Sequence, residues 1–430
     1  MKVLMFGWEF PPNISGGLGT ACYGITKSLA DFPDVGITFV IPKAQGNETK
    51  NKIKLIGANQ IDLIKSKIRK ERLTLPVECY SVESQIVPYV SPASFEKRSQ
   101  YQSNRSIPES SPEQLPQNMA FSGGYGRNLL DEIQNFSVIS EYISTQTDFD
   151  VIHAHDWLTF PAGIAAKKLS GKPLVIHIHA TDFDRSGGKI NPRVFNIEKE
   201  GMDLADKIVC VSNRTRQMVI DNYHIDPEKT TTVYNGVEFS NSQKLTLPLQ
   251  KNSDKIVTFL GRITLQKGPG YFIQVAKLVL SRMKNVRFIM AGNGDLYGDI
   301  IRKVAAEKIG DRFLFTGFLE GDDVCRMLKL SDVFVMPSVS EPFGICPLEA
   351  MQSGVPAIIS KQSGVSEIVK HAIKVDFWDV HAMADAIHAL LTYPAMNHMM
   401  TTNAMNESRE IKWEHTAQQL RRIYLEMIRA

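Results

Sequence analysis

Cysteine is scarce in this chain: five among 430 residues, at positions 22, 79, 210, 325 and 346, with no two at CxxC spacing. That scatter excludes a disulfide framework and a zinc knuckle, and it reads as reduced thiols in a cytoplasmic protein. Long apolar runs are missing too, so no segment is expected to span a bilayer. The opening stretch "MKVLMFGWEF" has one lysine and an apolar run broken at Glu9, which falls short of a signal-peptide core. Neither sign of charge is in excess: 49 Lys and Arg against 46 Asp and Glu leave a net +3. So small a surplus argues against a nucleic-acid partner, while leaving room for a local basic cleft. An even βα rhythm is also lacking, because residues 44–130 interrupt it, and this excludes an eightfold barrel.

What is present is too long for one ordinary core, so two large domains are expected. Short apolar runs rich in β-formers alternate with longer helical patterns, as in parallel α/β sheets. In the first half they are "KVLMF", "GITFVIP", "DVIHAH", "PLVIHIH" and "KIVCVS". In the second they are "KIVTFLG", "VRFIMAG", "RFLFTG", "DVFVMPS" and "VPAIIS". Residues 91–118, rich in Ser, Pro, Gln and charge, read as a surface excursion, and 240–254 as an interdomain linker. The expected division is 1–245 and 246–412, with an amphipathic last helix, about 413–430, packing back on the first domain.

Three loops follow strands, where open α/β sheets bind ligands. In "NISGGLGTACYGITKSLA" (13–30), three glycines precede a helix. They suit an anion cradle and close strand–helix packing equally well, and the spacing is not GxGxxG. "LGRITLQKG" (260–268) sets Arg262 and Lys267 five apart, before Gly268. Two cations there would grip a diphosphate, although taken alone the pair reads as solvated surface charge. "SEPFGICPLEAMQSG" (340–354) holds Glu341 and Glu349 eight apart, with Pro347 opening a helix and Gly354 just past it. Glu349 suits the two hydroxyls of a ribose and Glu341 another polyol; alternatively, Glu349 complements the helix dipole and Glu341 is exposed.

"SEPFGICPLEAMQSGVPAI" resembles the E-x7-E element of retaining glycosyltransferases of the GT-B fold. "WEFPPNISGGLGTACYGITKSLA" is similar to the Gly-Gly-Leu loop of the glycogen and starch synthase branch. "VIHAHDWLT" is similar to its His-Ala-His-Asp-Trp segment, and "IHIHATD" to its catalytic-histidine strand. "GRITLQKG" resembles the family's Arg-x4-Lys pair, and "YNGVE" its Asn-Gly-Val-Asp segment. Ile14 stands where bacterial glycogen synthases usually carry Lys. The resemblance implies two Rossmann-like doubly wound domains facing an interdomain cleft. It implies glucose transfer from ADP- or UDP-glucose to an α-1,4-glucan, with retention and no cofactor or metal. In that reading Arg262 and Lys267 bind the donor diphosphate, Glu341 the transferred sugar and Glu349 the ribose. Phe343, Gly344 and Ile345 offer backbone, while Gly17 and Leu18 approach from the opposite domain. His179 lies beside the reacting carbon, and Asp156 supports the acceptor side. His177 shares a strand face with His179, and the following Ala-Thr selects the latter.

A rival from another class is a metal-dependent hydrolase built on the two HxH strands, His153/His155 and His177/His179, with Asp156 or Asp182 completing the site. Asp148-Phe-Asp150 precedes its strand and so sits at the wrong end of the sheet; Asp182-Phe-Asp184 is at the correct end. The other rival, a sugar-binding module without catalysis, is disfavoured because both cations, both glutamates and His179 are all present.

Overall fold

The computed structural model describes residues 1–14, 16–48, 52–61, 121–126, 128–238 and 254–429. The excursion at 91–118, the 245/246 boundary and the linker, except its last residue Asp254, lie outside the described residues. Two parallel sheets carry the chain. The first contains β1 (Lys2–Phe6), β2 (Gly36–Ile41), β3 (Lys54–Gly57), β4 (Val151–His155), β5 (Leu174–Ile178), β6 (Lys207–Cys210) and β7 (Thr230–Thr232). The second contains β8 (Lys255–Leu260), β9 (Val286–Ala291), β10 (Phe313–Gly317), β11 (Val333–Met336), β12 (Ala357–Ser360) and β13 (Ile373–Val375). Their orders are β3-β2-β1-β4-β5-β6-β7 and β10-β9-β8-β11-β12-β13. In each sheet the order reverses once, between β1 and β4 and between β8 and β11. Loops leaving those strands diverge there and open a crevice.

Central strands such as β4 and β5 are buried at every residue, which is why they read as unbroken apolar runs rather than alternating ones. The edge strands β3, β7 and β13 gave no such signal. They have only three or four residues, and "TTT" and "IKV" carry too little apolar content to show a period.

The helices that matter for the site are α1 (Gly17–Leu29), α2 (Leu129–Gln146), α3 (Asp182–Ser186), α4 (Asn213–Tyr223), α5 (Pro269–Arg282), α6 (Cys346–Gln352) and α7 (Trp413–Arg429). The last returns to the first lobe after a parallel bridge between Val237 and Lys412. Its buried residues Trp413, Thr416, Ala417, Leu420, Ile423 and Tyr424 form one helical stripe. That stripe covers α1 and the β1–β4–β5 face. The Trp413 indole occupies the space a side chain at Gly24 would need, with Cε2 2.3 Å from an ideal Cβ. Tyr424 Oη lies 2.5 Å from His153 Nδ1.

Candidate active site

On the second lobe, β8 delivers Arg262 and Lys267 and β11 delivers Ser338 to Cys346, so the two loops flank the β8/β11 reversal. They are pinned together by Gly268. At φ +67°, an ideal Cβ on this residue would stand 2.1 Å from Pro337 O, so only glycine fits. The amides of Val339 and Ser340 donate to Gln266 O at 2.9 and 3.4 Å. In this frame Lys267 Nζ meets Glu341 Oε2 at 2.5 Å, and Ser338 Oγ donates to the same oxygen at 3.3 Å. Glu341 is buried, and Glu341 N donates to Gln362 O. Gly344 (φ +101°) turns the chain toward α6. Phe343 packs into the lobe's core, with its carbonyl accepting from Val365 N, and Ile345 packs against residues of both lobes. Glu349 is half-buried, and burial raises its carboxyl above the usual range, against a hydrogen bond from Cys346. Burial also pushes the Cys346 thiol up, and Glu349 adds to the effect. Such a thiol stays protonated and is not a nucleophile.

On the first lobe, β1 leads into the glycine loop. Gly17 is exposed and Leu18 packs into both core faces of the sheet. Ile14 leans on Gly19, its Cγ2 2.3 Å from where a Cβ would be, so this position packs the loop rather than presenting charge. The lobes meet at Arg262. A Cβ on Gly16 would lie 3.3 Å from its Nε, and the Tyr125 ring centroid is 5.6 Å from its Cζ. A cation at that distance over a ring face is held by the ring's electrostatic field. Tyr125 stands in the loop before α2. That loop is held by Glu132, which accepts from Ser122 N, Ser122 Oγ and Gly123 N at 3.1, 2.5 and 3.1 Å.

The two HxH strands bring four imidazoles onto one face of β4 and β5. His153, His155 and His177 are fully buried, whereas His179, one residue past β5, is half-buried at the crevice. Burial drives all four toward the neutral form, His153 and His179 to about 3. His155 Nδ1 and His179 Nε2 share a hydrogen bond of 3.0 Å. Ring nitrogens of His153, His155 and His177 lie within 4.8 Å of one another. His177 stacks on both partners, however, at interplanar angles of 8° to His153 and 28° to His155, while His153 and His155 are tilted at 35°. An imidazole binds an ion along a lone pair in its own plane, so near-parallel rings aim side by side rather than at one point. For the hydrolase reading, the stacking counts against the three-histidine set, while Cys22, His155 and His179 form a second group at the same spacing.

Its carboxylates are also committed elsewhere. Asp156, a non-glycine residue at φ +60°, uses Oδ1 to accept from His179 N at 2.7 Å and Ala180 N at 3.3 Å. Burial raises it to about 6 despite the pull of Arg185 and those amides. It clamps the strand end that carries His179. Asp182 accepts from Asn191 N and Asp184 from Thr181 and Ser340, so the DxD aspartates act in structure. Arg185 pairs with Glu198, to which Tyr223 also donates; burial raises Glu198 to about 7, against both partners. At the other end of the sheet, Asp148 pairs with Lys2 and Asp150 accepts from Lys2 N.

Contacts that the sequence did not mark join the lobes beside the site. Ser340 contacts Asp184 and Arg214, Tyr125 contacts Arg262, and Glu367 accepts from the Asn213 and Arg214 amides and from Tyr234 Oη. None has a spacing that marks it, because each partner comes from the other sheet.

Comparison with known proteins agrees with this architecture. Residues 244–407 match the family "Glycosyl transferases group 1", and residues 93–241 match "Glycosyltransferase Family 4". An uncharacterized glycosyltransferase of Methanocaldococcus jannaschii is 26% identical across 99% of this chain and 98% of its own. Among solved structures, sucrose-phosphate synthase from Thermosynechococcus elongatus superposes with a TM-score of 0.73 at 16% identity, covering 99% and 98% of the two chains. Anabaena HepE in complex with UDP-glucose gives 0.65 at 16% identity, covering 99% and 100%. No helix among the described residues is long and apolar enough to cross a membrane. With both family matches running side by side over most of its length on a two-lobed GT-B fold, the chain belongs to the group 1 glycosyltransferases.

Proposed function

We propose that the protein is a retaining glucosyltransferase that moves glucose from UDP- or ADP-glucose onto an α-1,4-glucan, in the manner of a glycogen synthase. One observation carries the donor half of this reading. The Lys267–Glu341 pair, half-buried at the lysine and buried at the carboxylate, and Arg262 stand at the β8/β11 reversal, facing the Gly16–Leu18 loop across the crevice. The HepE complex with UDP-glucose supports a uridine donor on the same fold.

The barrier in such a reaction is departure of a dianionic diphosphate while positive charge grows on the anomeric carbon. Arg262 and Lys267 stabilise the departing charge, and the start of α1 adds its amide ends from the other lobe. Two fixed cations do this without a divalent ion. As the diphosphate engages Lys267, Glu341 is released from its pair and turns to the hydroxyls of the transferred sugar. The acceptor hydroxyl attacks on the face that the diphosphate leaves, and a diphosphate oxygen takes its proton. His179, held neutral by burial, offers a polar group or its carbonyl to the developing cation rather than acting as an acid. Glu349 grips the ribose, and lobe closure excludes water.

A second reading keeps the donor chemistry and replaces the glucan with a small acceptor. Its support is the superposition on an enzyme named for making sucrose phosphate, a small phosphorylated sugar. A donor panel with and without glycogen primer, scored for product, separates the two. Glucose incorporated into glycogen upholds the glucan acceptor, and turnover only with small acceptors overturns it. In either case Lys267→Ala is expected to slow transfer at saturating donor by roughly a hundredfold. An undiminished rate in that variant removes the leaving-group role.

A further inference from the structure

Beside the site, one buried hydroxyl links the strand end that carries His179 to the loop that carries Glu341. On the first lobe, the backbone of His179–Thr181 is clamped at every residue. Asp156 takes the amides of His179 and Ala180, Arg185 Nη1 donates to Ala180 O at 3.1 Å, and Asp184 Oδ2 takes Thr181 N and Oγ1 at 2.9 Å each. On the second lobe, the amides of Val339, Ser340 and Glu341 are held by Gln266 O and Gln362 O. Between these bodies Ser340 Oγ donates to Asp184 Oδ1 at 2.6 Å, and Arg214 Nη2 donates to Ser340 Oγ at 3.2 Å. The polarity is forced: an arginine only donates, so the hydroxyl accepts from it and sends its single proton to the carboxylate. Asp184 and Ser340 are both buried, where a charge-assisted bond is strong and tolerates little displacement.

We propose that the Ser340–Asp184 link, oriented by Arg214, is a positioning device that sets His179 and Glu341 at their working separation across the crevice. This rests on the reading in which both residues flank the transferred sugar. Ser340 is the neighbour of Glu341, and Thr181 lies two residues beyond His179, so the link transmits position through one or two residues on each side. It touches neither the diphosphate-binding cations nor Glu349. Its loss therefore falls on turnover and leaves donor binding largely intact.

The test measures turnover of UDP-glucose or ADP-glucose, whichever the wild-type protein uses faster, in Ser340→Ala, Ser340→Thr, Asp184→Asn and Lys267→Ala. Ser340→Ala is expected to lower kcat about tenfold or more with KM for the donor within about threefold, in a protein that loses some melting temperature but stays folded at the assay temperature. Ser340→Thr keeps the hydroxyl and should recover most of the rate, which a packing role would not produce. Asp184→Asn can keep the Thr181 bonds through Oδ1 and donate from Nδ2 to Ser340 Oγ, so it should lose no more rate than Ser340→Ala and none further when combined with it. Unchanged kcat in Ser340→Ala, a KM that rises as far as kcat falls, or a Thr variant no better than Ala overturns the link. A rate lost in Lys267→Ala but not in Ser340→Ala sinks the link alone. A rate kept in Lys267→Ala sinks the site reading and the link with it.

Discussion

Asp156 combines a left-handed backbone, a buried carboxylate and two amide donors, and this combination decides what it does. Its resemblance to an acceptor-side aspartate gave no hint that Oδ1 faces the chain's own backbone. The consequence is a pH signature. The folded pKa of about 6 lies above the ordinary unfolded value near 3.9. Asp156 therefore favours the fold most below about pH 4, and this contribution is lost as pH rises through 6. The size is about 3 kcal/mol for such a shift. In thermal unfolding from pH 4 to 8, the melting temperature of the wild type minus that of Asp156→Asn should shrink as pH rises. A constant difference would count against the assignment. Among the histidines, the sequence offered two choices on one face, and only position along β5 separates them: His177 is buried within the strand, and His179 is past its end at the crevice.

Among the elements, the central strands and the three ligand loops were legible because each strand is a buried apolar run, several of them ended by Gly or Pro. What could not be read was which loops face each other, since that depends on strand order rather than on spacing. Gly268 shows the difference. In sequence it is merely the residue after Lys267; in the fold it lets the β8 loop pass beneath the Pro337 carbonyl. Replacing it with alanine adds a left-handed backbone penalty of about 1 kcal/mol and a clash with a main-chain oxygen. Expected outcomes are a fall of about 2 to 4 kcal/mol in the stability of the second lobe and loss of nucleotide affinity, read by unfolding and by UDP titration. A variant that binds UDP like the wild type would show that this loop does not hold the diphosphate.

At the scale of the molecule, the lobes are tied on both flanks. Val237 pairs with Lys412, Glu367 caps the first turn of α4 from the other lobe, and α7 lays its stripe on α1. Trp413 is the largest side chain in that last contact, seated in the notch that Gly24 leaves open. Trp413→Ala should cost about 3 to 5 kcal/mol by the cavity it creates. Hydrogen exchange is the discriminating measurement. Faster exchange concentrated in α1 and β1, with β8–β13 protected as before, is the expected pattern, and equal loss in both lobes would contradict the packing described.

Local pattern by itself determined that two parallel sheets exist, where their buried strands run and which loops carry cations, carboxylates and glycines, because periodicity and turn chemistry are short-range properties. Tertiary structure alone decided that Lys267 meets Glu341, that Arg262 lies between Gly16 and Tyr125, that His177 stacks on His153 and His155 instead of converging with them, and that Ser340 reaches Asp184. The histidines apart, those contacts join residues 74 to 246 positions apart, as in Lys267–Glu341 and Arg262–Gly16. Only the order of strands within each sheet and the closure of one lobe on the other bring such distant residues to one point.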